Sequence, residues 1–332
     1  VNGRDPALGR QPAVASARRA DPVSARHADP ASRSVNADLH SHSRMSDGML
    51  APAEVVRRAH AAGVAIHALT DHDELSGIAE AAAEAARLGM AFVAGVEVSV
   101  SWGGETIHVV GLRVDPGDPA LVEGLARTRD GRDARAREIG AQLERAGVPD
   151  AYEGALRHVG NPALVSRTHF ARHIVEAGIC ADVGEVFRHY LSEGRPGFVP
   201  HRWAGLAEAV DWIRGAGGIA ILAHPGRYRL DEGGLWALMD EFRSAGGEAI
   251  EVVSGSHTPD QYRRFAGHAR EFGFLASRGS DFHAPGESRV ELGALPPLPD
   301  TVVPVWHDWP ETAALCGAPG APRSRARPGA PG

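Results

Sequence analysis

Histidines and carboxylates recur along this chain in short clusters of the kind that hold catalytic metal ions. The first runs Asp38-Leu39-His40-Ser41-His42-Ser43 and reaches Asp47. Thr70-Asp71-His72-Asp73, Gly95-Val96-Glu97 and His108 follow. His224-Pro225-Gly226 and Gly279-Ser280-Asp281-Phe282-His283 complete the set. Imidazole and carboxylate bind Zn²⁺, Mn²⁺ and Fe²⁺. His40 and His42 are two residues apart, which in extended backbone puts both on one face, about 7 Å apart. Asp281 and His283 repeat the spacing. A lone histidine is more often a surface or satisfied core residue than a ligand. Two such pairs together with TDHD and HPG point instead to a multinuclear centre and to metal-assisted hydrolysis.

Such ligands need elements to position them. From residue 36 onward short apolar runs alternate with helical ones. Strands are expected at 37–40, 64–70, 91–100, 106–114, 218–223, 249–253 and 274–277. Trp102-Gly103-Gly104 reads as a hairpin turn. Helices are expected at 52–62, with Pro52 in the first turn and Gly63 at the end, and at 76–88, 206–216, 235–245 and 260–272. From 119 to 190 the pattern is helix after helix, with Ser166 as an N-cap for 167–177. Seven strands in mostly βα order suggest an α/β barrel interrupted by a helical insertion. Chemistry in such barrels sits at the strand carboxyl ends, where His40, His72, His224 and Asp281 fall. Glu97 and His108 lie within strands, whose alternation can still aim them inward. The expected division is a disordered tail at 1–34, a first barrel part at 35–116, a helical insertion at 117–202 serving as a substrate cap, a second barrel part at 203–310, and a disordered tail at 311–332. An upstream start assignment would account for the first tail.

Composition narrows the chemistry. The chain has 332 residues and is 43% hydrophobic, enough for a sizeable core. No apolar run approaches the roughly 18 residues of a membrane span, and the first 34 residues lack the apolar stretch of a secretory signal. All 35 basic residues are arginine, which rules out a lysine Schiff base and a P-loop lysine. The net charge is −7; the two ends carry about +3 each, leaving about −13 between them. That balance disfavours duplex DNA. Cys180 and Cys316 follow no metal or redox spacing and read as incidental thiols of a cytoplasmic protein. The serines near the first cluster show no triad pattern.

The motifs DLHSHSRMSDG, TDHD, GVEVS and GSDFH, with HPG between the last two, resemble the polymerase-and-histidinol-phosphatase (PHP) superfamily over roughly residues 36–299. SRTHFARH, GRPGFVPHRW and SGSH resemble its branch of 3′,5′-nucleoside bisphosphate phosphatases and RNase AM-like enzymes. The resemblance implies a distorted (β/α)7 TIM-like barrel with two or three divalent ions, Mn²⁺ first, with Fe²⁺, Zn²⁺ or Mg²⁺ as alternatives. It implies that His40, His42, Glu97 and Asp281 hold one ion. Glu97 would bridge to a second with His108 and His224. Asp47, His72 and His283 would hold the third. Many members of the family have histidine where this chain has Asp47, which favours Mn²⁺ or Mg²⁺ over Zn²⁺ there. The implied chemistry is in-line attack on phosphorus by a hydroxide held between two ions.

The expected substrate is a small nucleotide such as a 3′,5′-bisphosphate, or the 5′ end of a short RNA, with no membrane and no obligate protein partner. Arg167 and His169, near a helix start, would grip a second phosphate. His201, Arg227 and His257 are further candidates, and each has a plainer reading as a surface charge or a turn cap. Glu251 reads equally as a residue behind the metal ligands or as a buried strand acid. The arginine-rich run 127–145 reads as a solvated helical face. The leading function is a metal-dependent phosphatase of small nucleotides. The alternative is a 5′→3′ exoribonuclease, and more distant are a histidinol phosphatase and a non-catalytic PHP module.

Overall fold

The computed structural model describes residues 30–316. Seven strands form one sheet in chain order: β1 (Ala37–Asp38), β2 (Ile66–Leu69), β3 (Ala91–Trp102), β4 (Glu105–Leu112), β5 (Ile219–Leu222), β6 (Ala249–Ser254) and β7 (Leu275–Gly279). β1, β2 and β3 run parallel to one another, as do β5, β6 and β7; β4 is antiparallel to both β3 and β5. The Trp102–Glu105 hairpin reverses the chain, with Gly103 and Gly104 at positive φ. The ends of the sheet meet. Leu39 N donates to Arg278 O (3.0 Å), His42 N to Phe282 O (2.8 Å) and Asp281 N to His40 O (2.9 Å). The sheet is therefore a nearly closed barrel, as expected.

The parallel strands are buried along their length, which is why they read as continuous apolar runs. Helices pack outside them. Their ends follow local chemistry: Pro259–Phe272 opens with a capping box between Thr258 and Gln261 and closes at left-handed Gly273. Ile78–Leu88 likewise closes at left-handed Gly89.

Between β4 and β5 the chain forms a run of helices, among them Arg132–Arg145, Ala151–Leu156 and Arg167–Glu176. Ile139, Leu143, Phe170, Ile174, Val186 and Leu191 give this segment its own apolar core. Polar ties seat it on the barrel. Arg172 pairs with Glu287 (2.8 Å), Arg132 with Asp73, and Asn161 Nδ2 donates to Glu74 Oε2 (3.2 Å).

The two expected tails begin further out than composition suggested. Pro30–Arg33 is a helical turn and Pro310–Cys316 a helix. Trp306 is the reason: its buried indole donates to Ser32 O (2.8 Å), and its own carbonyl accepts from Thr312 Oγ1 (2.6 Å). Glu311 adds an ion pair with Arg113 (2.9 Å). The rest of both expected tails lies outside the described residues. Among the described residues, no helix is long and apolar enough to cross a membrane.

Candidate metal centre

Strand ends and turns bring nine side chains to one end of the barrel. His40 and His42 follow β1, His72 follows β2, His224 follows β5, and Asp281 and His283 follow β7. Glu97 and His108 project from the β3–β4 hairpin. Asp47 comes from the turn after His42. His224 (φ 29°), Asp281 (φ 56°) and Asp73 (φ 50°) are non-glycine residues at positive φ, backbone strain of the kind that collects at functional sites.

Glu97 is the centre. Its Oε1 lies 2.9 Å from both His108 Nδ1 and His224 Nε2. Its Oε2 lies 3.2 Å from His40 Nε2, 3.3 Å from His42 Nε2 and 2.9 Å from His72 Nδ1. Asp281 Oδ1 completes the first group, 3.2 Å from His42 Nε2 and 3.6 Å from His40 Nε2. On the far side, Asp47 Oδ1 lies 3.3 Å from His283 Nε2 and 3.8 Å from His72 Nε2. Three groups thus have the donor set and closeness to hold an ion: His40, His42, Glu97 and Asp281; His42, Asp47, His72 and His283; and His72, Glu97 and His108. His224 sits against the last, 3.4 Å from His108 Nδ1. Bonds of about 2.0–2.2 Å to one ion place ligand atoms about 3.0–3.5 Å apart, near the 2.9–3.8 Å of these contacts. Glu97 Oε2 and Asp47 Oδ1 are buried and accept no hydrogen bond, so their lone pairs face the clusters unsatisfied. The residues fit divalent cations.

The electrostatics agree. Burial alone would raise Glu97, Asp281 and Asp47, but the imidazoles around them hold all three well below the usual carboxylate range. Burial pulls His42 down, yet Asp281 and Glu97 push it up to about 10. His40 moves the same way, against its burial, under Glu97, Glu251 and Asp281. His224 is held down at about 4 by burial and by Arg227.

Around the ligands stand carboxylates that brace. Glu251 Oε1 accepts from His40 Nδ1 (2.8 Å) and Oε2 from the His224 amide (2.6 Å), which turns His40 Nε2 toward the centre. Asp71 takes the Ser43 amide, the Ser43 hydroxyl and the Ser46 hydroxyl at 2.6–2.7 Å, fixing the turn that carries Asp47. Asp38 accepts from the amides of Ser280 (2.8 Å) and Gly293 (3.0 Å). A Cβ on Gly279 would lie 2.2 Å from His40 Cβ, so only glycine lets β7 pass there.

The expected substrate residues divide. A cavity of about 500 Å³ opens beside Asp281 and His283, lined by Arg227, Thr168 and Phe187 among others. Arg227 Nη1 reaches Asp281 Oδ2 (2.8 Å). Arg167 stacks on Phe187 and donates to Leu191 O (3.3 Å). His201 packs edge-on against Trp203. Of the expected substrate residues Arg227 alone lines this cavity, and His169 and His257 are engaged by structural partners. The His169 ring is fully buried, with Nδ1 accepting the Ser166 amide (3.0 Å) to cap its own helix. His257 Nε2 accepts the Gly226 amide (3.0 Å) while Nδ1 faces Val252 O (3.2 Å), so it clamps the HPG turn from behind.

Sequence reasoning missed two arginines by reading 127–145 as a solvated face. Arg132 is buried, paired with Asp73 and stacked over Trp203. Arg135 donates to Val199 O (2.9 Å) and also lies over Trp203. Burial, with Arg167 and Arg132 nearby, pulls it down to about 9. Neither Arg135 nor Arg167 has a carboxylate partner among the described residues. The only signal in the sequence was Trp203, a stacking surface with no obvious occupant.

A PHP domain family model matches residues 38–214. A 3′,5′-nucleoside bisphosphate phosphatase from Chromobacterium violaceum is 54% identical over 273 residues, covering 82% of this chain and 96% of that protein. A 5′-3′ exoribonuclease from Haemophilus influenzae is 42% identical over 270 residues, covering 81% and 97%. A solved structure of an amidohydrolase from Chromobacterium violaceum, with bound sulfate and no metal, superposes with a TM-score of 0.81 at 53% identity, covering 84% of this chain and 96% of that one.

Proposed function

This chain belongs to the PHP domain family, and from that premise we propose that it is a metal-dependent phosphoesterase that removes a phosphate monoester from a small nucleotide, with a 3′,5′-nucleoside bisphosphate as the leading substrate. The convergence of nine ligand-type side chains, with Glu97 at their centre, carries the reading. His40, His42, Asp47, His72, Glu97, His108, His224, Asp281 and His283 are the residues that would hold two or three ions, with Mn²⁺ the first candidate. Bound there, divalent cations supply Lewis acidity toward water and neutralise charge on phosphoryl oxygens.

The chain's own part is placement. Glu251 sets the tautomer and direction of His40, and Asp71 fixes the turn carrying Asp47. Arg227, at the seam between the cavity and Asp281, is placed to meet a phosphoryl oxygen of the scissile group. Arg167 and Arg135 form a cationic wall that lacks carboxylate partners, and His201 beside Arg135 is pulled down by burial and by the arginines around it. A guanidinium without an acidic partner, partly withdrawn from water, is costly until an anion arrives. We assign this wall to the phosphate that stays on the product.

A second reading, exoribonuclease action from a 5′ end, is favoured by the relative that carries that activity. Both readings use the same centre and differ in whether further nucleotides extend beyond the first.

Phosphate release from pAp, AMP and a 5′-phosphorylated RNA trimer, by Mn²⁺-loaded protein with an EDTA control, tests the proposal. Fast EDTA-sensitive release from pAp with slow trimer degradation supports the phosphatase. Trimer degradation at a comparable or faster rate makes it an exoribonuclease. No turnover of any of the three defeats both readings.

A further inference from the structure

Asp47 is held by the insertion as well as by its own turn. Thr168 Oγ1 donates to Asp47 Oδ2 at 3.0 Å, and Ser166 Oγ lies 3.3 Å from the same oxygen. Both hydroxyls belong to the first turn of Arg167–Glu176, a ten-residue helix whose N-cap is Ser166. Ser166 Oγ also accepts the Thr168 amide (3.2 Å) and lies 3.3 Å from His169 Nδ1, so its single proton has a competing acceptor. Thr168 has no competing acceptor within the turn and is the stronger tie.

The other carboxylate oxygen is left alone. Asp47 Oδ1 is buried, accepts no hydrogen bond, and points toward His72 and His283. The carboxylate therefore has two faces: Oδ2 toward the insertion, Oδ1 toward the group formed with His42, His72 and His283. Thr168 also lines the cavity beside Asp281 and His283. One side chain touches both the space a substrate would enter and the ligand of one ion.

We propose that Thr168 is a positioning residue that holds Asp47 as a one-oxygen ligand, and that it couples the seating of the insertion to cation binding by Asp47, His72 and His283. The proposal rests on the reading of that group as an ion site. A hydroxyl fixed on Oδ2 presents Oδ1 to the cation and stops the carboxylate turning both oxygens inward. Coupling of this kind is reciprocal. The ion, by fixing Asp47, anchors the first turn of the helix; the helix, by fixing Asp47, tightens the ion.

The test is Mn²⁺ titration of chelator-stripped protein, with free Mn²⁺ read by electron paramagnetic resonance, on wild type, Thr168→Val and Thr168→Ser. Valine keeps the shape and removes the hydroxyl; serine keeps the hydroxyl. The expected result is that Thr168→Val weakens one class of Mn²⁺ site by about 10-fold, the lower end for losing a partner behind a metal ligand. The remaining sites should be unchanged, and Thr168→Ser should bind nearly as wild type does. Amide hydrogen exchange gives a second readout independent of turnover. Mn²⁺ should slow exchange over residues 167–176 in wild type and Thr168→Ser, and much less in Thr168→Val. Wild-type affinities in Thr168→Val, or equal losses in valine and serine variants, overturn the coupling while leaving the ion site standing. A wild type with no class of site sensitive to Asp47→Ala defeats the ion-site reading itself.

Discussion

At the scale of single residues, Glu97 gives this centre its character. One carboxylate faces five imidazoles, three on one oxygen and two on the other. Losing a ligand from such a hub removes more than one contact. His40→Ala and Asp281→Ala are each expected to abolish phosphate release while leaving the far-ultraviolet circular dichroism spectrum unchanged; substantial turnover in both variants would refute the ligand assignment. Glu251 stands one step back. Its carboxylate holds His40 Nδ1 and the strained His224 backbone together. Glu251→Gln keeps the shape but removes the anion that fixes the His40 tautomer. Metal affinity should fall by about 10- to 100-fold, and excess Mn²⁺ should restore much of the activity. Activity that stays lost at saturating metal would make Glu251 more than a positioning residue.

At the scale of elements, the strands and the candidate ligands were legible because each left a periodic or motif signature. The apolar runs at β2, β5 and β6 read as buried strands between helices, and His72 and His224 lay at the ends of β2 and β5. What stayed hidden depended on contacts across long stretches of chain. Arg132 and Arg135 sit in a charged helix whose inner face is defined by Trp203 and Asp73, some 60–70 residues away in opposite directions. No local pattern separates them from solvated neighbours. His257 looked available, but the turn at Gly226 takes its free nitrogen. His169 looked placed for substrate, but a helix opening on Ser166 uses it as the reciprocal cap. Arg167, also on the insertion, makes a kinetic prediction. Arg167→Ala should raise KM for a bisphosphate nucleotide by roughly 10-fold or more, in line with a lost charge-assisted contact, with a smaller effect on a monophosphate. Equal KM changes for the two substrates would remove Arg167 from the second-phosphate site.

At the scale of the whole molecule, the barrel stores histidines in places where they must stay neutral. His67, on β2 behind the ligands, and His169, in the insertion, are both held at about 4 by burial. Unfolded, each titrates near 6.5. A folded value below the unfolded one stabilises the fold above about pH 6.5, and the benefit is lost as pH falls toward 4. The metal-free protein should therefore lose urea resistance between pH 6.5 and 4, and His67→Gln should flatten that decline if it folds; a decline of unchanged steepness in a folded variant would contradict the burial argument. The closure of β1 against β7 has a consequence for biosynthesis. The candidate ligands run from His40 to His283, and the first group draws on both His40 and Asp281. A nascent chain still lacking β7 has an open barrel and an incomplete centre, so the ribosome releases catalytic competence only near the end of translation. Truncated products are left without a complete centre by topology alone.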